Sequence, residues 1–234
     1  TKEFLSSHGI QFQARDVGTD PTALSELKAL GLSIVPVTQI GGNVIIGFNR
    51  LALGAALDLD VSFGAQQDAE WMVEKFETVL LGAILATRQI GDRFLDWKTP
   101  DRDRTLRQFT FHIFDRLNAT LDAHEKGSFT EEDAGRYVKE ALLYQSTLEI
   151  ANFGERVLTR IRTFIAESPS EILQGQINTY MGQMPLQQLM DLGLGHSVHH
   201  LKQLYFYMKQ VGFVPENPLS QKDLDGVAVP TELF

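Results

Sequence analysis

Three of the six histidines lie in one short stretch, Gly195-His196-Ser197-Val198-His199-His200-Leu201-Lys202-Gln203-Leu204. Periodicity places this stretch on a helix over 186–211. Leu189, Gly193, His196, His200, Leu204 and Tyr207 fall three or four residues apart and share one face. The other members of that face are apolar or small, so it looks inward. His196 and His200 stand one turn apart, and both imidazoles can reach one point. A transition metal suits such a point, because imidazole binds zinc, nickel, copper and iron. A pair of core histidines is the competing explanation, but each buried ring carries nitrogens that need partners.

A third ligand must come from another helix, and the candidates are His112, His124, Asp115 and Glu149. His112 sits mid-helix between Phe111 and Ile113, where a solvent-facing histidine would be poorly placed. His124 stands at a charged helix end beside Glu125 and Lys126 and reads as a surface residue. His199 points about a third of a turn away from His200. Asp115 is placed to orient His112 through its second ring nitrogen. Three imidazoles leave one position of a tetrahedral ion for water or substrate, which is the pattern of a catalytic rather than a structural site.

The elements that would carry these residues follow from the rest of the chain. Its 234 residues include 43% apolar residues and carry a net charge of −9. That composition allows real cores and disfavours nucleic acid and anionic membrane as partners, since both call for a basic surface. No apolar run reaches membrane-spanning length. No signal peptide is expected, and the expected compartment is the cytoplasm. Cysteine is absent, so no catalytic thiol can be assigned and metal chemistry falls to histidine and carboxylate.

Residues 1–60 alternate helix and strand signals. A helix over 2–8 is followed by an alternating strand over 11–17. Asp20-Pro21 caps and opens a short helix, a strand covers 34–40, Gly41-Gly42-Asn43 turns the chain into 44–46, and Asn49 caps a helix over 50–57. This order is most of a small α/β module without an opening strand, so residues preceding Thr1 are expected to complete it. A connector at 58–64 follows. Four amphipathic helices are then expected over about 68–94, 105–125, 130–166 and 186–211, with a crossover at 170–183, making an up-down four-helix bundle over 66–212. The tail, 213–234, is expected to be an extended arm.

The second half resembles the DinB-like family of four-helix metalloproteins, through His112 and the run His196-Ser197-Val198-His199-His200-Leu201-Lys202-Gln203. The family often has Arg-Gly before the glutamine, where this chain has Leu201-Lys202. The resemblance implies His112, His196 and His200 as ligands of a divalent transition metal, with zinc or nickel foremost. It also implies, for several members, transferases or isomerases that use a low-molecular-weight thiol.

The first half resembles the glutaredoxin branch of the thioredoxin fold, through Ile34-Val35-Pro36-Val37, Gly41-Gly42 and Gly47-Phe48. The resemblance implies a cis proline at Pro36 and contact between the Val35 backbone and the sulfur of a bound thiol. The family's Cys-x-x-Cys motif is not in this sequence.

The expected function is therefore a metal- and thiol-dependent transferase or detoxification enzyme acting on a small-molecule thiol or electrophile. Two other functions fit the same residues: a metal- or redox-responsive binding protein without turnover, and a glutaredoxin-like reductase whose bundle pairs it into a homodimer.

Overall fold

The computed structural model describes residues 1–32, 35–59, 69–100, 102–227 and 233. Ile34, the 60–64 part of the expected connector, residues 66–68 of the expected bundle and Pro230 of the tail lie outside the described residues. The chain divides into two compact units, Thr1–Ala65 and Gln66–Phe234.

The first unit contains α1 (Lys2–Ser7), α2 (Pro21–Ala29), β1 (Val37–Ile40), β2 (Asn43–Ile46) and α3 (Arg50–Leu57). Asp20 caps α2 by accepting from the backbone N–H groups of Thr22 and Ala23, and Asn49 caps α3 by accepting from that of Ala52. β1 and β2 pair antiparallel with Val37 opposite Ile46. The Gly41-Gly42 turn between them uses a left-handed Gly41, φ 57°, a conformation that costs glycine little. Phe4, Leu5, Ile45 and Leu53 form the core. The Val35–Pro36 peptide is cis, and the Pro36 carbonyl accepts from the Gly47 N–H at 2.7 Å.

The strand expected over 11–17 does not form; residues 11–16 are exposed and irregular. A strand needs a ladder partner, and β1 and β2 pair with each other. Arg15 instead ties this segment to α2 through Asp20 and Glu26.

The second unit is built on four long helices: α4 (Ala69–Gln89), α5 (Leu106–Lys126), α8 (Thr147–Glu167) and α10 (Leu186–Gln210). Between them stand the short helices α6 (Glu131–Gly135), α7 (Tyr137–Glu140) and α9 (Ser170–Gln174), with strands β3 (Ser128–Phe129), β4 (Gln176–Thr179) and β5 (Gly182–Pro185). α4 packs on α8 and α10, and α5 packs on the same two helices. The ring order is therefore α4, α8, α5, α10, with the consecutive helices α4 and α5 on a diagonal. None of the described helices is long and apolar enough to cross a membrane.

α5 is the central element. A reciprocal capping box of Thr105 and Gln108 starts it, and Gly127 in the left-handed region, φ 81°, ends it. Such a box satisfies two otherwise orphaned backbone donors. Most of its side chains are buried, including His112. Its two neighbours approach closely because each offers a glycine. A Cβ on Gly154 of α8 would lie 2.7 Å from the Phe114 ring, and one on Gly193 of α10 would lie 2.7 Å from Leu117.

The helix expected over 130–166 is broken. Thr130 and Asp133 form a capping box on α6. The chain then passes through α7 and a 3-10 turn, extends at Tyr144, and restarts at α8 with Ser146 accepting from the Glu149 N–H. A serine that bonds the backbone N–H three residues on competes with continuing the helix through it. The crossover at 170–183 becomes α9 and a β4–β5 hairpin, with β3 added in parallel to β4. The helix expected to reach residue 94 ends at Gln89, and a separate 3-10 turn covers Asp92–Phe94. The tail is not wholly extended: Lys222–Leu224 is a 3-10 turn with Leu224 buried, and Lys75 donates to the Asp223 carbonyl at 3.2 Å.

Candidate metal centre

Two helices bring the histidines together. α5 supplies His112, and α10 supplies His196 and His200 one turn apart. Ser197, beside His196, donates to the Ile113 carbonyl, beside His112, at 2.8 Å. That bond and the Gly193 contact fix the height and spacing of α10 against α5. One nitrogen from each of the three rings falls within 4.8 Å of the other two. The Nε2 atoms of His112 and His196 stand 2.9 Å apart. The His196 and His200 rings meet edge to face, with centroids 4.2 Å apart.

Hydrogen bonding fixes the protonation of His200. Gln203 donates through Nε2 to the Leu233 carbonyl at 2.7 Å, so its Oε1 faces His200. That oxygen accepts from His200 Nδ1 at 2.6 Å. The His200 proton is therefore on Nδ1 and its Nε2 holds a free lone pair, the form a metal ligand takes. His112 has a different support. Tyr137 of α7 stacks on its ring at a centroid distance of 3.8 Å, and its Nδ1 is buried without a hydrogen-bond partner.

All three rings are neutral at ordinary pH. Burial first, then repulsion from a charge on His200 and from the cations Arg116 and Arg104, holds His112 well below the usual imidazole range. Burial likewise depresses His196, and pushes His200 down to about 3 against the opposing effect of its bond to Gln203. Imidazole must be neutral to bind metal. An ion at about 2.0–2.1 Å from tetrahedral nitrogens sets them about 3.4 Å apart, so the 2.9 Å pair would open by a few tenths of an ångström. The donor set fits a divalent transition metal.

The remaining candidates lie elsewhere. Asp115 does not orient His112. Its Oδ1 accepts from Arg136 Nε at 3.0 Å, and Arg136 also pairs with Asp122 at 2.6 Å. Burial raises the Asp115 carboxyl to about 6 despite that partner. The cause is rotational: residues three apart on a helix differ by about 60° in direction, enough to send Asp115 towards α7. Glu149 is exposed and accepts from the Gln145 N–H. His124 packs against Phe164 on the far side of α5. His199 is half-buried, its ring centroid 5.6 Å from that of His200, and stands outside the triad. In the first unit, Val35 and Pro36 are exposed.

Gln203 was legible in sequence only as part of the histidine-rich run. Its distance of three residues from His200 is the local signal of a side-chain pair on one helix face. Replacing Gln203 with alanine is expected to weaken metal binding roughly ten- to a hundredfold, the usual effect of losing a group that orients a ligand. Asp115→Ala and His124→Ala should leave affinity within about twofold. Calorimetric titration of the three variants with Zn(II) checks this; an Asp115 effect as large as that of Gln203 would refute the assignment of orienting groups.

A family model described as glutaredoxin matches residues 1–45. A curated relative, an uncharacterized glutaredoxin-like 8.6 kDa protein in the rubredoxin operon of Clostridium pasteurianum, is 37% identical over 59 residues, covering 25% of this chain and 79% of the relative. Among solved structures, a DinB-like protein from Bacillus cereus ATCC 10987 matches 65% of this chain and 99% of its own, with a TM-score of 0.55 and 18% identity. A DinB-like protein from Bacillus subtilis matches 61% of this chain and 92% of its own, with a TM-score of 0.48 and 14% identity. The chain belongs to the glutaredoxin-like family through its N-terminal module, which is fused to a four-helix domain of the DinB-like fold containing a histidine triad that could hold a metal ion.

Proposed function

We propose that the protein is a metal- and thiol-dependent transferase or detoxification enzyme, in which His112, His196 and His200 bind a divalent transition metal, zinc or nickel foremost. The observation that carries this reading is the convergence of three neutral imidazoles from two helices, those of His112 and His200 buried and that of His196 half-buried, with the His200 tautomer set by Gln203. Such a centre has little structural purpose in a bundle whose core is mostly apolar. Bound there, a divalent cation supplies Lewis acidity and favours the thiolate form of a thiol it meets.

The chain's own residues do the rest. Gln203 holds the His200 lone pair towards the centre. Tyr137 covers one face of His112, and Phe109 stands edge-on to His200 at 5.1 Å, so both rings are shielded from water. These 234 residues hold no cysteine, so none of them supplies the thiol, and a small-molecule thiol is proposed instead. In the glutaredoxin-like module the backbone at Val35, next to the cis Pro36, is a second place proposed to receive a thiol compound. The proposed setting is the cytoplasm, with a small electrophile as the second substrate and a homodimer as a proposed assembly.

The test is consumption of a low-molecular-weight thiol against a model electrophile, with and without Zn(II) or Ni(II). Turnover above background is expected only when metal and thiol are both present, and His200→Ala should abolish it. Turnover that ignores the metal would overturn the reading. The same polypeptide should reduce no disulfide at the rate of a dithiol glutaredoxin, because it has no thiol pair to cycle; a normal reductase rate in a coupled assay would contradict this.

A further inference from the structure

Four residues after His112 on α5 stands Arg116, only 9% exposed. Arginine is almost never this buried without a carboxylate partner. Of the other deeply placed arginines of the bundle, Arg107 pairs with Asp96 at 3.0 Å and Arg136 with Asp115 at 2.9 Å. Arg116 makes no ion pair among the described residues, in a chain with 30 acidic side chains. Its surroundings are neutral. The guanidinium lies over the Phe129 ring at 4.5 Å. Its Nη2 is 3.5 Å from the Tyr180 hydroxyl, long for a hydrogen bond. Its Nε is buried with no partner.

The position of this charge is informative. Residues four apart on a helix have Cβ atoms about 6 Å apart, and helical side chains lean back towards the N-terminus. Arg116 therefore stands one turn from His112 on α5, and its charge is felt by both His112 and His196. The Arg104 guanidinium lies 4.4 Å over the ring of Phe109, which abuts His200. The charge of Arg116 thus stands beside a cluster of neutral imidazoles, where a cation hinders rather than helps the binding of a metal. A buried, unpaired guanidinium is offset when a ligand brings the anion, and its planar fork fits a carboxylate through two parallel bonds.

We propose that Arg116 is a substrate-recognition residue, and that the ligand of this centre is a small thiol bearing a carboxylate that pairs with Arg116 while its sulfur faces the histidine triad. This rests on the reading of the triad as a metal centre, and names the class of thiol that centre takes.

The experiment uses the full chain loaded with Co(II), whose visible spectrum reports sulfur ligation. Mercaptopropionate and the neutral mercaptopropanol are titrated separately. The wild-type chain is expected to bind the carboxylate thiol roughly tenfold or more tightly, as a charge-assisted bond allows. Arg116→Gln should erase that preference and leave Co(II) affinity within about twofold, whereas Arg116→Lys should keep part of it. Equal affinity of the wild-type chain for the two thiols overturns the proposal without any variant having to fold. Failure of the wild-type chain to bind Co(II) overturns the metal centre instead. In that case propionate added to the metal-free chain decides the subsite: a shift of the Arg116 side-chain resonance upholds it, and no shift overturns it.

Discussion

Replacing both His196 and His200 with alanine is expected to lower divalent-metal affinity by on the order of ten-thousandfold. Structural zinc in four-ligand sites is bound with roughly 10–16 kcal/mol, or about 3 kcal/mol per ligand, and each such loss is on the order of a hundredfold. The double variant leaves only His112, which cannot hold an ion against water. His112→Ala alone should cost on the order of a hundredfold, because it removes the single ligand contributed by α5. The helices are held by packing and by the Ser197–Ile113 bond, neither of which needs the imidazoles. The variants should therefore fold, and circular dichroism checks that they do. Elemental analysis after dialysis, with Zn(II) titration, provides the measurement. Stoichiometric metal on the double variant would sink the triad as a centre.

Acid should unfold the metal-free chain sharply, and for the same reason. His200 titrates at about 3 in the folded chain, and His112 and His196 are also held well below their ordinary range by burial. Unfolded histidine takes its proton near pH 6.5. Below that value the unfolded chain binds more protons than the folded one, so stability falls as pH falls. The contribution of each group is complete above about pH 6.5 and is lost on the way down to its folded pKa, at up to about 1.4 kcal/mol per pH unit.

Asp115 acts in the opposite sense. Its folded value of about 6 lies above the unfolded 3.8, so between those values it favours the folded chain as pH falls. Three histidines against one carboxylate leave a net loss of stability as pH falls below about 6, less whatever half-buried His196 recovers from solvent. Urea midpoints of the metal-free chain at pH 7, 6 and 5 measure the slope, and replacing the three histidines with glutamine should flatten it. An equally steep slope in that variant would show that the triad is not what titrates.

The sequence by itself determined the inward face of α10 and the two histidines on it. The 3.6-residue period reports which residues share a side of a helix, and both ends of the pattern lie within that one segment. The caps at Asp20 and Asn49 and the Gly41 turn were legible for the same reason, since a cap or turn is a bond between residues two or three apart. His112 was legible as a buried polar residue in an apolar stretch.

Contacts across the chain were decided only by the tertiary structure. No local pattern says that Asp115 turns to Arg136, that Tyr137 covers His112, or that Gln203 reaches the carbonyl of Leu233 thirty residues on. The helix expected over 130–166 failed because amphipathic spacing continues across a break whose cause is a bond from Ser146 to the backbone. The parallel pairing of β3 with β4 joins residues about fifty positions apart. Periodicity fixes the face that a segment buries; which segment meets that face, and so which groups surround the histidines, follows from packing four helices and a small sheet into one volume.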